Sequence, residues 1–392
     1  MGKRKQVRVG PPPTTAEEFG DALLAAAPGD ADRLAPGFTL PAGLAEAADR
    51  AGQQLIGRAC RAGWLPEDLH QAARRRLDEF GASYLLDTLA VYAGQFTAVH
   101  PSWREQLDAA GAVRWWPETE PHLPQWAAKH ILTPSEAVAA VIEAFGLLKT
   151  LPPVTVVLPA PGTPLQRPVS HGAGQKHVDD KKLSRVRALL AKAESSSFPE
   201  EAEALSAKAQ ELMTRHALDR VLVEAGEAAP DLPAARRIWL ETPYTDAKSL
   251  LVHVVAQANR CRAVFDPRWE FVTVVGDEDD LDSVALLTTS LLVQATRAMI
   301  ADPAGRSRPF RKSFLVSYAT RIGERLEQAA EATIGRSPDP AELLPVLASH
   351  ELKVEAAFTT LFPEVVGRSV TVRSHEGWGA GRAAADRARL GE

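Results

Sequence analysis

The stretch RALLAKAESSSFPEEAEALSAKAQELM, Arg187–Met213, has the spacing of two short amphipathic helices joined by a turn. Apolar residues recur on one arc of each helix at 3.6 residues per turn. They are Leu183, Val186, Leu189, Leu190 and Ala193 in the first helix, then Ala202, Leu205, Ala209, Leu212 and Met213 in the second. Between the helices, Ser197 and Glu200 form a capping box, and Pro199 lies in a first turn that tolerates proline. This spacing predicts a tight αα-hairpin.

The hairpin resembles a bacterial and phage family catalogued as domain of unknown function 2786. That family has a leucine-alanine helix, a Glu-Glu-Ala helix start and an Ala-x-Lys-Ala-Gln-x-Leu-Met ending. The matching residues are Leu189, Leu190, Ala193, Glu200, Glu201, Ala202, Lys208, Ala209, Gln210, Leu212 and Met213. The downstream segments RPFRKSFLVSYATRIGERL and GWGAGRAAADRARL look like parts that accompany this domain in longer relatives, and GWLPEDLHQAARRRL resembles actinobacterial members. The resemblance implies no activity, because no activity is agreed for this family.

On either side of the hairpin, the composition divides the chain further. The expected segments are a basic flexible tail at 1–13, a helical N-terminal domain at 14–150, a Pro-rich linker at 151–177, the hairpin at 178–219, a second linker at 220–237 and a C-terminal domain at 238–392. The last segment combines helical periodicity with two short β-rich runs around Asp266 and Pro267. The expected fold class is mainly α: a helical N-terminal domain, a central αα-hairpin and a small α+β C-terminal domain.

Helical periodicity dominates the N-terminal domain. Helices are expected at about 16–27, 44–62, 66–80, 83–98 and 135–150. Four tryptophans lie between the last two of these helices, and we expect them to be packing residues because large aromatic side chains supply much core area. They are Trp103, Trp115, Trp116 and Trp126.

The composition is that of a soluble globular protein, with 45% hydrophobic and 24% charged residues. Formal net charge is -5, so nucleic-acid binding would require a local basic patch. Cys60 and Cys261 match no metal or redox spacing. The basic N-terminus is followed by proline and threonine instead of an apolar signal segment, and no run approaches the ~20 apolar residues that cross a bilayer. We therefore expect a cytoplasmic protein without a membrane partner.

No motif for catalysis, cofactor binding or metal binding is present in the sequence, so we predict no catalytic, cofactor or metal residue. The acidic run GDEDDLD, residues 276–282, invites a calcium hypothesis, but it lacks the glycine and distal glutamate of an EF-hand loop. It opens an amphipathic helix, where carboxylates cap N–H groups and complement the helix dipole. Capping is therefore the favoured interpretation.

Basic residues of the hairpin form a stripe beside its apolar arc. They are Lys181, Arg185 and Lys192 on the first helix, with Lys208 and Arg215 on the second. Such a stripe can follow the phosphates of nucleic acid. It can also be a solvated face, because Glu200, Glu201, Glu203 and Glu211 dilute its charge.

Two downstream arginines are unusual for their helix. Arg325 projects within the apolar arc of FRKSFLVSYATRIGERL, and Arg321 lies at its edge. A buried arginine requires a carboxylate, backbone carbonyls or a bound anion. A structural ion pair, for example with the GDEDDLD run, is one interpretation; an anion pocket joined by His253, Asn259, Ser313 and Tyr318 is the other.

Three hypotheses for function follow. The first is a non-catalytic interaction protein, with nucleic acid as the leading partner and anion or nucleic-acid contacts at the seven basic residues named above. The second is an enzyme or small-anion binder with a site around Arg325. The third is a protein-interaction scaffold in which the Pro-rich linker separates two domains.

Overall fold

The computed structural model confirms a mainly helical chain with a small α+β part near the C-terminus. It describes residues 15–27, 30–38, 43–163, 173–195, 205, 208–218, 233–336, 340–367 and 373–387. Within these residues the chain forms 15 helices and one three-stranded antiparallel sheet. The predicted basic tail at 1–13 and the capping box of Ser197 and Glu200 lie outside the described residues.

The chain divides into two compact units, Met1–Gln166 and Arg167–Glu392. The domain boundaries expected from composition stay a prediction. The described elements of the first unit are α1 (Ala16–Ala25), α2 (Ala31–Phe38), α3 (Gly43–Arg61), α4 (Pro66–Arg76), α5 (Glu79–Gly94), α6 (Pro101–Ala110), α7 (His122–Lys129) and α8 (Pro134–Thr150).

Local sequence signals explain where several of these helices begin and end. Thr15 and Thr133 each form a capping box with the glutamate three residues later. The single helix expected over 66–80 is wrong, because α4 ends at Arg76 and Asp78 then caps α5 by accepting a hydrogen bond from the Gly81 N–H. An aspartate in the middle of a periodic run is therefore a helix start here.

The tryptophan prediction is correct for three of the four residues. Trp103, Trp116 and Trp126 are buried, whereas Trp115 is 39% exposed. The Trp115 indole N–H donates to Asp87 Oδ2 at 2.8 Å, and Lys129 Nζ lies 4.0 Å from the centre of its ring. The indole N–H of Trp115 thus reaches a buried carboxylate, and the Lys129 ammonium group covers the face of the ring. Trp115 therefore contacts polar groups more than the core.

The first part of the Pro-rich segment packs on the first unit. The Val154 N–H donates to the Ala62 carbonyl at 2.9 Å, and the Trp64 indole N–H donates to the Pro152 carbonyl at 2.8 Å. Gly63 has φ +96 and lies against the Val154 carbonyl, where a side chain would overlap. Residues 151–163 are thus held by backbone hydrogen bonds, and residues 164–172 lie outside the described part.

The second unit surrounds a small sheet with helices. Its described elements are α9 (Ala173–Ser195), α10 (residues 208–218), β1 (Ala234–Trp239), α11 (Thr245–Ala258), β2 (Arg262–Asp266), β3 (Phe271–Gly276), α12 (Glu278–Ala301), α13 (Arg308–Gly335), α14 (Pro340–Leu361) and α15 (His375–Arg387). The strand order is β1-β3-β2, and both pairings are antiparallel. Every residue of the central strand β3 is buried.

Strand β1 is an element that the sequence analysis did not predict. Its first residues, 234–237, fall in the expected second linker, because two consecutive arginines conceal the alternation of a strand. Arg237 lies over the Phe271 ring, with its guanidinium carbon 5.2 Å from the ring centre, and Arg236 pairs with Asp282. Both charges are accommodated only after the strand has paired with β3.

The hairpin helices contribute to the same core as the C-terminal helices. Val186 and Leu190 of α9, and Ala209 and Met213 of α10, are buried among apolar residues of α11, α12 and α13. The predicted apolar arcs are confirmed in the described part of both helices. An isolated hairpin of this size buries little apolar surface, so this shared core is its main source of stability.

Helix α12 is long and apolar enough, by length and composition alone, to cross a membrane. An 18-residue window within it has a mean hydropathy of 1.5. In the structure, Leu281, Leu287 and Leu291 of this helix are buried in the core of the second unit. Burial inside the protein therefore accounts for these apolar residues.

Close packing of α15 on α13 explains the glycines of GWGAG. Gly377 and Gly381, one helical turn apart, lie against the backbone carbonyls of Phe310 and Phe314 on α13. A Cβ atom at either glycine would overlap that carbonyl oxygen, whereas one at Gly379 would meet no atom. The glycines therefore permit backbone-to-backbone helix packing, and they are part of α15 instead of a loop before it.

We expect Gly381→Ala to lower the free energy of unfolding of the second unit by about 1–3 kcal/mol, because the new methyl group forces α13 and α15 apart. Gly379→Ala is the matched control, and it should raise stability by about 0.5–1 kcal/mol through helix propensity. Urea denaturation followed by circular dichroism measures both. Equal effects of the two substitutions would contradict the packing role.

Candidate functional site

The outward face of α9 is basic. In its described part, the exposed residues are either basic or small: Ser184, Arg185, Arg187, Ala188, Ala191, Lys192 and Ser195. Arg185 and Lys192 are seven residues apart and therefore share one side of the helix, while Arg187 lies on the other side of the exposed arc. We call Arg185, Arg187 and Lys192 the α9 basic surface. Lys181 lies on the same helix, but its side chain is outside the described residues.

The two basic residues predicted on α10 are neutralised. Lys208 Nζ lies 2.8 Å from Glu211 Oε2, and Arg215 donates to Glu211 Oε1 at 2.6 Å. The hydrogen bond from Lys208 lowers the pKa of Glu211 below its usual value, and both cations favour its charged form. The predicted stripe thus separates into a basic α9 and a charge-balanced α10. Arg187 belongs to the α9 basic surface, although the helical spacing in the sequence did not place it in the predicted stripe.

Gln210 of the family motif connects the hairpin to α11. Its side chain is fully buried, and its amide nitrogen donates to Asn259 Oδ1 at 3.2 Å and to Thr214 Oγ1 at 3.3 Å. Asn259 in turn donates to the Val255 carbonyl near the end of α11. This chain of hydrogen bonds fixes α10 against α11, which gives the motif glutamine a structural role.

Arg321 and Arg325 are bound to α15. Arg321 pairs with Asp386 and, at 2.7 Å, with Glu324, and these hydrogen bonds raise the pKa of Arg321. Arg325 donates to the Ala385 carbonyl at 2.6 Å. The partners therefore come from the last helix, and the suggested pairing with the GDEDDLD run is not observed. Backbone carbonyls and carboxylates occupy the directions in which an anion would bind.

Two of the four polar residues proposed to join that pocket, Ser313 and Asn259, have other partners. Ser313 Oγ accepts hydrogen bonds from the Arg373 and Ser374 N–H groups, and Asn259 belongs to the Gln210 network. Burial lowers the pKa of His253, and nearby Arg262 lowers it further. Burial raises the pKa of Tyr318, so its hydroxyl stays protonated. Ser313 and Asn259 are therefore engaged elsewhere, whereas Tyr318 lies close enough to Arg325 for that charge to lower its pKa.

Two carboxylates of the acidic run at the start of α12 contact basic side chains. Asp277 lies 2.5 Å from His350, and Asp280 lies 3.3 Å from the buried Arg260. Asp277 occupies the N-cap position but makes no capping hydrogen bond with its side chain, so the capping interpretation needs correction. The described residues contain no group of three or more His, Cys, Asp or Glu side chains placed to hold a metal ion.

A buried polar cluster in the first unit was not foreseen from the sequence. The His122 Nε2 atom lies 2.8 Å from Asp87 Oδ2, and its Nδ1 atom lies 3.7 Å from Asp49 Oδ1. The imidazole ring stacks between Tyr84, at 5.2 Å between ring centres, and Trp116, at 4.0 Å. No sequence motif joins these residues, because they come from α3, α5, the segment before α7 and the first residue of α7.

The two carboxylates favour the protonated form of His122. Burial alone would lower its pKa, but the hydrogen bonds and charges of Asp49 and Asp87 outweigh burial and raise the pKa above its usual value. With both ring nitrogens directed at carboxylates, the imidazolium serves as a structural cation. It lacks the free lone pair that a general base requires.

Comparison with known protein families gives a match for the hairpin segment. Residues 181–220 match the model of the family described as protein of unknown function (DUF2786), which confirms the resemblance of this segment. The match covers about a tenth of the chain, so the similarity to this family concerns that segment alone. No curated protein and no solved structure is significantly similar to the chain.

We expect the stability of the first unit to depend on pH through His122. Because the folded pKa lies above the unfolded value of about 6.5, the stabilisation is complete below that pH and is lost as pH rises through the folded pKa. Urea midpoints measured by tryptophan fluorescence from about pH 6 to pH 9 should therefore fall. In Asp87→Asn the fall should begin at lower pH, since one carboxylate is lost.

The exposed His375 of the second unit offers a matched control. His375→Asn should leave the pH dependence of the first unit unchanged. A wild-type midpoint that stays constant over this pH range would contradict the charged state of His122.

Proposed function

We propose that this protein is a non-catalytic, cytoplasmic interaction protein whose α9 basic surface contacts the phosphate backbone of nucleic acid. The observation that supports the proposal is the composition of the exposed arc of α9. Apart from Arg185, Arg187 and Lys192, the exposed residues described on this helix are two alanines and two serines. Lys181 extends the same helix by sequence. The biochemical role of the matched family itself is unknown.

Two physical features make this surface suitable for phosphates. Small residues between the cations allow the helix backbone to approach a polyanion closely, and the opposite face is anchored in the core by Val186 and Leu190. Lys and Arg side chains that neutralise phosphates release condensed counterions, which supplies affinity without reading the base sequence. We therefore expect weak binding that depends strongly on salt.

The α10 residues are expected to contribute less. Lys208 and Arg215 already share Glu211, so contact with a phosphate would have to compete with that carboxylate. Arg321 and Arg325 are also committed to α15. The site that we propose is consequently narrower than the set of basic residues that the sequence suggests.

We expect the double variant Arg185→Ala, Arg187→Ala to weaken binding to duplex DNA at low salt. Because each phosphate contact contributes about 0.9 to the slope of log K against log salt, losing two contacts should reduce the slope by about 2. Fluorescence anisotropy with a labelled duplex at several salt concentrations measures both quantities. A labelled single-stranded RNA tests binding to RNA in the same way.

Arg104→Ala is the matched control, since Arg104 is an exposed arginine on α6 of the other unit. It should change neither affinity nor slope. If the wild-type protein binds neither DNA nor RNA at low salt, or if Arg104→Ala has the same effect as the double variant, the proposed interface is wrong. A protein that copurifies independently of salt would instead favour the scaffold hypothesis.

A further inference from the structure

The helix that carries the α9 basic surface is in direct contact with α12 through Arg297. This arginine is exposed, and its guanidinium donates a hydrogen bond to the Glu194 carbonyl near the end of α9. Arg297 lies four residues before Ala301, the last residue of α12. The ends of these two helices therefore meet, and an exposed cation lies where they meet.

The turn after α12 brings two further arginines to the same end of that helix. Gly305 lies against the Met299 carbonyl, because the turn folds back on the helix that it leaves. The Gly305 N–H donates to the Asp302 carbonyl at 2.9 Å, which closes the turn. Arg306 follows directly, Arg308 is the first residue of α13, and both side chains are exposed. We call these two arginines the α13 basic pair; it lies close to the end of α12 that contacts α9.

The stability of the fold does not explain the α13 basic pair. Neither arginine has an ion-pair partner among the residues that the structure describes. The first turn of α13 contains no acidic residue, and cations at this end of a helix oppose its dipole. In the preceding turn, the Asp302 carboxylate accepts the Ala304 N–H at 2.9 Å. A bound polyanion would compensate both charges of the pair.

An extended polyanion fits this arrangement better than a small anion. The exposed cations belong to α9, α12 and the start of α13, and Arg185 and Lys192 alone are about 10 Å apart along α9 at 1.5 Å per residue. A single phosphate group is much smaller than that distance. A nucleic-acid strand instead carries phosphates at regular intervals over its whole length, so that each cation can contact a different phosphate. The chemistry that matches this surface is the sugar–phosphate backbone of DNA or RNA.

We propose that Arg306 and Arg308 form a second set of phosphate contacts, joined to the α9 basic surface through Arg297, so that one polynucleotide binds across α9, α12 and α13. This inference rests on the proposed function and extends it from one helix to a surface of three helices. Because the two sets contact different phosphates of one polynucleotide, their contributions to the salt dependence of binding should add.

Fluorescence anisotropy at several salt concentrations, with labelled duplex DNA and with labelled single-stranded RNA, tests the inference on the full chain. On duplex DNA, the double variant Arg306→Ala, Arg308→Ala should reduce the slope of log K against log salt by about 2. Combined with Arg185→Ala and Arg187→Ala, it should reduce the slope by about 4, because four phosphate contacts are lost. The probe that binds more tightly identifies DNA or RNA as the partner.

Lys353→Ala is the matched control, because Lys353 is an exposed cation of the same unit near the other end of α12. It lies three residues after His350, which contacts Asp277 at the start of α12. That helix has 24 residues and is therefore about 36 Å long. The control should change neither affinity nor slope, and circular dichroism should show that every variant is folded.

The results separate this inference from the proposed function. If the α9 double variant lowers the slope and Arg306→Ala, Arg308→Ala does not, only the inference is wrong. If the wild-type protein binds neither probe at low salt, both are wrong. The inference is also overturned if Lys353→Ala lowers the slope as much as the α13 double variant. The same holds if the combined variant lowers the slope no further than one double variant, because the two sets then do not bind one polynucleotide together.

Discussion

Burial of the hairpin's apolar arcs against the C-terminal helices is the contact on which the second unit depends. Short helices rich in alanine are marginal by themselves in water, because each buries few large side chains. The partly buried Leu189 and Leu212 pack against the same core as the fully buried residues of α11, α12 and α13. The recognised family segment is therefore an integral part of a larger fold, and its outer face is the part left for interaction.

Arginine has two different roles in this unit, and the difference lies in what surrounds the guanidinium. Arg260 and Arg321 are paired with carboxylates of the same unit, so their charges stabilise the fold. Arg185 and Arg187 are exposed, and the other exposed residues in the described part of α9 are Lys192, serines and alanines. Surface ion pairs contribute little stability, whereas exposed basic side chains attract polyanions from solution. Burial and pairing thus separate the arginines that stabilise the fold from those that stay exposed.

Buried polar groups in both units connect elements that are distant in sequence. Gln210 links α10 to α11, and His122 links the start of α7 to α3 and α5. A buried charge is stable only when partners surround it, so these networks require one specific arrangement of helices. Around His122, the carboxylates of Asp49 and Asp87 both face one imidazole ring.

Local patterns determined much of the architecture. Periodicity and capping predicted the helices around Thr15 and Thr133, the two strands that flank Pro267 and the apolar arcs of the hairpin, because these features depend on near neighbours. The length of the helix that begins at Pro66 and the presence of strand β1 could not be predicted from such local patterns. The Asp78 cap and the two arginines of β1 acquire their roles only from the elements around them.

Which residues form a site depends on contacts between residues that are far apart in the sequence. The sequence alone determined that residues 181–220 are similar to the DUF2786 family and that basic residues lie beside the apolar arc, since both properties lie within one contiguous segment. Only the tertiary structure decided which of these residues are neutralised, that Arg325 is held by α15, and that His122 meets Asp49 and Asp87. Pairing between charges depends on distance in space, which helical periodicity does not encode.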